Sequence, residues 1–240
     1  MRLGFHVSIA GSIDKAVDRA KDLGCSTFQI FTRNPRGWAF SPLDPAVTSD
    51  FRNKLAWSGI SPVLDHMPYL PNLSSANGGA YGKSVETLKA ELSRCDSLGI
   101  PYLVTHLGSH LGAGPEEGRR RLVNAITYAF MDTNARCMIL LENTAGTKNS
   151  IGTTFAEVAQ IMDLAGFRDR IGFCFDTCHA MAGGYDLKSK GTEVLDELEE
   201  VIGLDRLKAI HLNDSKGVTG SHLDRHEHIG MGTIGEEGFR

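Results

Sequence analysis

The chain has 240 residues, 41% hydrophobic and 22% charged, with a formal net charge of −4. That length can bury roughly 70–75% of the unfolded surface around one core, and the acidic balance excludes a general attraction to nucleic acid, so phosphate contacts must come from local groups or bound cations. No apolar run approaches the ~18 residues that span a bilayer, and the start, MRLGFHVSIAGS, lacks the layout of a secretory signal. A cytoplasmic protein without membrane contact is expected.

Apolar, β-branched runs recur along the chain at 2–8, 27–32, 60–66, 101–106, 137–143, 171–177 and 207–213. Between them, 12–24, 83–99, 115–133, 154–166 and 191–203 carry apolar residues at helical spacing. Gly24, Gly59, Gly99 and Gly166 stand where helix C-caps are expected. Strands alternating with helices imply parallel β joined by right-handed crossovers. No glycine-rich dinucleotide fingerprint follows the first run and no phosphate loop is present, which disfavours a nucleotide-binding doubly wound sheet. The expected fold is a single (β/α)₈ TIM-barrel domain over 1–240. It is expected to be incomplete, with about seven strands. The chain stops in GTIGEEGFR, read as the opening turn of a seventh helix, so truncation before the eighth strand and last helix is expected.

Ligand-type residues fall at the ends of successive runs: His66, His106, Glu142, Asp176 and His211. Their spacings of 40, 36, 34 and 35 residues match the period of the βα unit. Residues ending parallel strands share one rim, where barrel enzymes do chemistry. His179 adds a donor from the loop after the sixth run, and DRHEH (224–228) adds more after the seventh. In IGFCFDTCHA, Asp176 reads either as a helix N-cap or as a ligand, with His179 three residues on. Carboxylates and imidazoles crowded together repel or titrate unless a cation sits among them. Nitrogen and oxygen donors without thiolate pairs suit Zn²⁺, with Mn²⁺ or Fe²⁺ as alternatives. The donors outnumber what one tetrahedral ion can use, so more than one metal is expected.

The remaining candidates have plainer readings. Cys25, Cys95, Cys137, Cys174 and Cys178 form no C-x-x-C pair and no disulfide framework. Cys137 and Cys174 read as core residues, and Cys178 as a core residue rather than a thiolate ligand. His6 reads equally as pocket-lining and as ligand, His110 as a loop residue, and His222 as solvated. His226 and His228 are two apart, and spacing alone does not choose between them.

The motifs FHVSIAGS, FTRNPRGW, HMPYLPNL, HLGSH, LENTAG, DTCHAMAGGYD, HLNDSK and DRHEHIGMGTIG resemble the endonuclease IV family of apurinic/apyrimidinic DNA-repair nucleases. The resemblance covers residues 3 to 239. It implies a (β/α)₈ barrel with three zinc ions. One would be held by His66, His106 and Glu142; a second by Glu142, bridging, with Asp176 and His211; a third by His179, Asp224 and His226. The family's further ligand, a Glu at the end of strand eight, has no counterpart here. The implied reaction is hydrolysis of the phosphodiester 5′ to an abasic nucleotide by a metal-bridging hydroxide, leaving a 3′-hydroxyl. Glu142 is the catalytic residue this implies. Double-stranded DNA with abasic sites is the implied partner of a monomeric enzyme. Arg36 would enter the duplex at the lesion, with Tyr69 and Leu70 as a wedge replacing lost stacking.

Two other readings follow from the same residues. A metal-dependent sugar isomerase or epimerase of xylose-isomerase-like type also uses Glu, Asp and His at strand ends. It needs fewer ions and no third ligand group. An inactive relative would bind DNA or zinc without turnover.

Overall fold

Parallel strands alternate with helices over most of the computed structural model, which describes residues 1–240. The first part contains α1 (Lys15–Asp22), β1 (Phe28–Ile30), α2 (Pro45–Ser58), β2 (Val63–His66), α3 (Gly78–Leu98) and β3 (Tyr102–His106). Then come α4 (Pro115–Asp132), β4 (Met138–Glu142), α5 (Phe155–Ala165), β5 (Ile171–Asp176), α6 (Thr177–Gly183), α7 (Gly191–Val201) and β6 (Leu207–His211). The chain ends with β7 (Asp214–Ser215), β8 (His226–Glu227) and α8 (Gly235–Gly238). Strands β1 to β6 form one sheet whose spatial order is the chain order. That is the winding of a (β/α) barrel; a doubly wound sheet reverses order at a switch point.

Local chemistry sets the boundaries. Asp44 caps α2 by accepting from Ala46 N at 2.8 Å, Pro45 opens the helix, and Gly59 closes it at φ 72°. Thr154 caps α5 by accepting from Glu157 N, and Gly166 ends it at φ 74°. Every residue of β5 is buried, as expected for a parallel strand covered on both faces.

The first apolar run departs from expectation. Residues 2–8 form no strand, only a parallel bridge from His6 to Gln29. Val7 N donates to Gln29 O at 2.8 Å and Gln29 N to Phe5 O at 3.0 Å, yet residues 1–6 stay exposed. Gly4 packs on the backbone, where a Cβ would lie 1.6 Å from Thr27 O. An edge segment gains too little burial for a longer ladder. The sheet therefore has six strands plus this bridge, and the antiparallel pair β7–β8 is an addition the apolar runs did not signal.

The fold divides into two compact units. One comprises Met1–Pro71, Gly82–Thr105 and Ile126–Ile139, with Phe28, Ile30, Phe51, Leu88, Leu92 and Leu103 at its centre. It also buries an ionic cluster. Arg33 Nε lies 2.6 Å from Glu91 Oε1, Arg94 Nε donates to Thr32 Oγ1 at 2.8 Å, and Thr32 hydrogen-bonds Glu91. Asp65 lies nearby, its carboxyl pushed well above the usual range by burial and by the Glu91 charge.

The other unit comprises Asn72–Tyr81, His106–Ala125 and Leu140–Arg240. Phe155 is its aromatic hub, stacked on Tyr185 at 4.2 Å and edge-on to Phe173 and Phe175. All five cysteines are free and buried. No helix is long and apolar enough to cross a membrane.

Candidate metal centre

The strands end where the spacing placed the ligand-type residues: β2 at His66, β3 at His106, β4 at Glu142, β5 at Asp176 and β6 at His211. Four of these lie in the second unit. There, ligand atoms of Glu142, Asp176 and His211 fall within 4.8 Å of one another, and so do those of Asp176, His179 and His226. Asp176 belongs to both groups. His211 Nδ1 is 2.8 Å from Glu142 Oε1, and His106 Nε2 is 3.7 Å from Glu142 Oε2. Asp224 Oδ1 lies 3.3 Å from His179 Nε2 and 3.5 Å from His226 Nε2.

Asp176 caps a helix and at the same time belongs to both candidate ligand groups. Its side chain caps α6, Oδ1 accepting from His179 N at 2.8 Å. Its Oδ2 accepts from Asn213 Nδ2 at 2.6 Å and lies 3.8 Å from His211 Nδ1 and 4.0 Å from His226 Nε2. The cap turns the chain so that His179, three residues on, comes back beside the carboxylate.

Electrostatics define what the site accepts. Glu142, Asp176 and His179 are 1%, 0% and 2% exposed, too buried for unpaired charge. Burial opposes protonation of His179, but Asp176, Asp224 and Glu142 outweigh it and raise its pKa to about 9. For His211, burial is likewise outweighed, by the Cys174 sulfur and Glu142, and the pKa stands well above the ordinary value. Asp224 is held below the usual carboxylate range by its hydrogen bond to His179. In the metal-free protein, protons on imidazoles hold the carboxylates together. A divalent cation is the natural replacement for them, and the nitrogen and oxygen donors fit one. The ring orientations also fit. His179 Nδ1 is 2.9 Å from Asn143 O, a bond that assigns the proton to Nδ1 and leaves the Nε2 lone pair for an ion.

A pH dependence follows for the metal-stripped chain. A folded histidine pKa of about 9 exceeds the unfolded value of about 6.5. The stability it contributes is complete below about 6.5 and is lost as pH rises through 9. Chelator-treated protein should therefore melt at lower temperature as pH is raised from 6.5 to 9. A melting temperature constant or rising over that window would contradict the assigned charges.

The other candidates separate. In the first unit, His66 is buried and its Nδ1 is 2.7 Å from Met67 O, again leaving Nε2 as the acceptor nitrogen. Arg36 is exposed in a turn closed by Asn34, whose Oδ1 accepts from Arg36 N at 3.0 Å. Tyr69 N donates to Pro35 O at 3.0 Å, and the side chains of Tyr69 and Leu70 remain open to solvent, the residues being 61% and 42% exposed. His6 hydrogen-bonds Gln29 at 3.0 Å and packs on Phe31. His110 Nδ1 accepts from Gly112 N and Gly114 N, as a loop residue does. His222 is exposed, although its Nδ1 lies 3.1 Å from Ala145 O. His226 rather than His228 turns to His179, because β8 pairs His226 with Ser215. Cys178 joins neither ligand group, and burial pushes its thiol up to about 11.

Positioning residues were not read from the sequence. Asn143 accepts from Asp176 N at 2.7 Å and donates to Asp176 O at 3.0 Å. Thr177 Oγ1 donates to Asn213 O at 2.7 Å, tying α6 to the end of β6. The available signal was adjacency: Asn143 follows Glu142 and Asn213 follows His211 by two.

The family model described as xylose isomerase-like TIM barrel matches residues 17–240. A Methanoculleus marisnigri protein described as probable endonuclease 4 is 58% identical over 241 residues, covering 99% of this chain and 86% of that relative. The crystal structure of endonuclease IV from Thermus thermophilus superposes with a TM-score of 0.89 at 39% identity, covering 99% of this chain and 86% of that one. A D-tagatose 3-epimerase-like protein reaches a TM-score of 0.67 at 18% identity over 97% of this chain and 82% of that one, a likeness of fold alone.

Proposed function

The chain belongs to the endonuclease IV family of xylose isomerase-like TIM barrels, and on that premise we propose a zinc-dependent DNA-repair endonuclease that hydrolyses the phosphodiester 5′ to an abasic nucleotide, leaving a 3′-hydroxyl end. The observation that carries this reading is the pair of ligand groups sharing Asp176, with Asp224 beside the second. A sugar epimerase or isomerase has no use for the group of His179, Asp224 and His226, which supports the nuclease over that rival.

In this reading His66, His106 and Glu142 take one zinc ion, Glu142, Asp176 and His211 a second, and His179, Asp224 and His226 a third. Such cations supply water activation at neutral pH and neutralise phosphate charge. The chain does the rest. Asn143 and Asn213 hold Asp176 from its backbone and its carboxylate, and the Asn143 carbonyl keeps the His179 ring in one tautomer. Arg36, Tyr69 and Leu70, all exposed, engage the duplex at the lesion, where an abasic nucleotide has little stacking to lose. The enzyme acts as a cytoplasmic monomer, and residues 1–240 behave as one folding domain.

The direct test is nicking of a duplex with one abasic site, with and without chelator. A single cut 5′ to the lesion, extendable by a polymerase, lost on chelation and restored by zinc, is expected. Chelator-resistant cutting, or equal cutting of undamaged duplex, overturns the reading. Tyr69→Ala should weaken binding of the abasic duplex roughly tenfold with metal content unchanged, since stacking on an aromatic side chain contributes about 1–3 kcal/mol per base. Gel-shift titration measures it, and wild-type affinity would remove Tyr69 from the DNA surface.

A further inference from the structure

Asp214 is an acid that the ligand assignments leave over, although it lies between the ligands His211 and Asp224 in sequence. It is fully buried and accepts backbone hydrogen bonds on both oxygens. Ser215 N and Ile234 N donate to Oδ1 at 2.8 and 2.9 Å. Gly230 N, Gly232 N and Gly235 N donate to Oδ2 at 3.0, 2.9 and 3.1 Å. So many N–H groups on one side chain need the lone pairs of an ionised carboxylate; an asparagine offers one oxygen. Gly232 is there for closeness of approach, since a Cβ would lie 2.5 Å from both Asp214 Oδ1 and Ser215 O.

The segment so gripped carries two ligands that packing does not hold. The side chains of Asp224 and His226 are 48% and 46% exposed. Their positions rest on the backbone. Ser215 pairs with His226 across β7–β8, Lys216 N donates to Arg225 O at 2.9 Å, and Thr233 N donates to Ser215 O at 2.7 Å. Asp214 starts β7 and binds the far end of the same loop, so one carboxylate closes it at both sides.

We propose that Asp214 is a positioning residue, whose carboxylate, clasped by the backbone of residues 230–235, sets Asp224 and His226 against His179. The proposal rests on the reading that these three residues hold an ion. It excludes Asp214 as a general base, because its lone pairs are committed.

The test uses purified holoprotein of the wild type, Asp214→Asn and Gly232→Ala, which loosens the clasp without touching the charge. Both variants should retain one metal ion fewer by elemental analysis, and chelator competition should show that ion bound at least tenfold more weakly, the usual scale for losing a ligand's supporting hydrogen bonds. Amide exchange at positions 230, 232 and 235 should accelerate in both variants while β5 amides stay protected. A merely structural role would lower all ions and all protection together. Wild-type metal content and exchange in both variants overturns the proposal, and so does global unfolding of both. If Asp214→Asn alone unfolds, Gly232→Ala decides by the same readouts. A wild-type protein retaining no ion overturns the metal reading instead. Unaltered exchange at residues 230–235 in the variants would then also remove the clasp.

Discussion

Glu142→Ala is expected to lower the rate of nicking at an abasic site by about 10³-fold or more, because a divalent centre contributes several kcal/mol of charge stabilisation. Glu142 stands against two imidazoles, His211 Nδ1 at 2.8 Å and His106 Nε2 at 3.7 Å, and is 1% exposed. Removing it leaves those rings without their shared anion, and metal content should fall with activity. Glu142→Gln keeps the shape and loses the charge. It should fail nearly as badly, which assigns the effect to electrostatics rather than packing. Steady-state nicking and elemental analysis of both variants check this. Full activity in either would move the catalytic centre away from β4.

Asp176 separates folding from chemistry. Asp176→Asn retains an oxygen to cap α6, and asparagine is as good a cap as aspartate. Asp176→Ala loses the cap, worth about 1 kcal/mol, and strands the Asn213 amide that now donates to Oδ2, at a further cost of about 1–3 kcal/mol. Nicking should collapse in both by about the same factor as at Glu142, since both ligand groups lose a shared anion. The alanine variant should melt earlier in denaturant than the asparagine variant, whose single oxygen keeps the cap. In metal-free Asp176→Asn, the His179 pKa should drop from about 9, because Asp176 is the leading group raising it. An NMR titration of the His179 ring reads this directly. Equal stability losses in both variants would show that the cap is not what Asp176 contributes to folding.

The strand-end positions of the candidate ligands were legible because each closes an apolar run, and the period of the runs is the period of the fold. His66, His106, Glu142, Asp176 and His211 could be named from spacing, and all five end strands. The choice between His226 and His228 was not legible from spacing, since both lie on one face of an extended segment. Resemblance pointed to His226, and pairing with Ser215 turns it toward His179. The first apolar run looked like its fellows, yet forms only a bridge, because hydropathy does not report how many neighbours a strand finds.

From sequence alone come the alternation of strands and helices, the caps at Gly59 and Gly166, and the chemical type of every proposed ligand. Those depend on local periodicity and side-chain chemistry, which travel with the residue. The tertiary structure decided which donors meet, that Asp176 both caps a helix and joins two candidate ligand groups, and that Asp214 commits both oxygens to the backbone of residues 230–235. Such facts join groups distant along the chain. Their energies arise from burial and from hydrogen bonds that exist only once the chain has closed on itself.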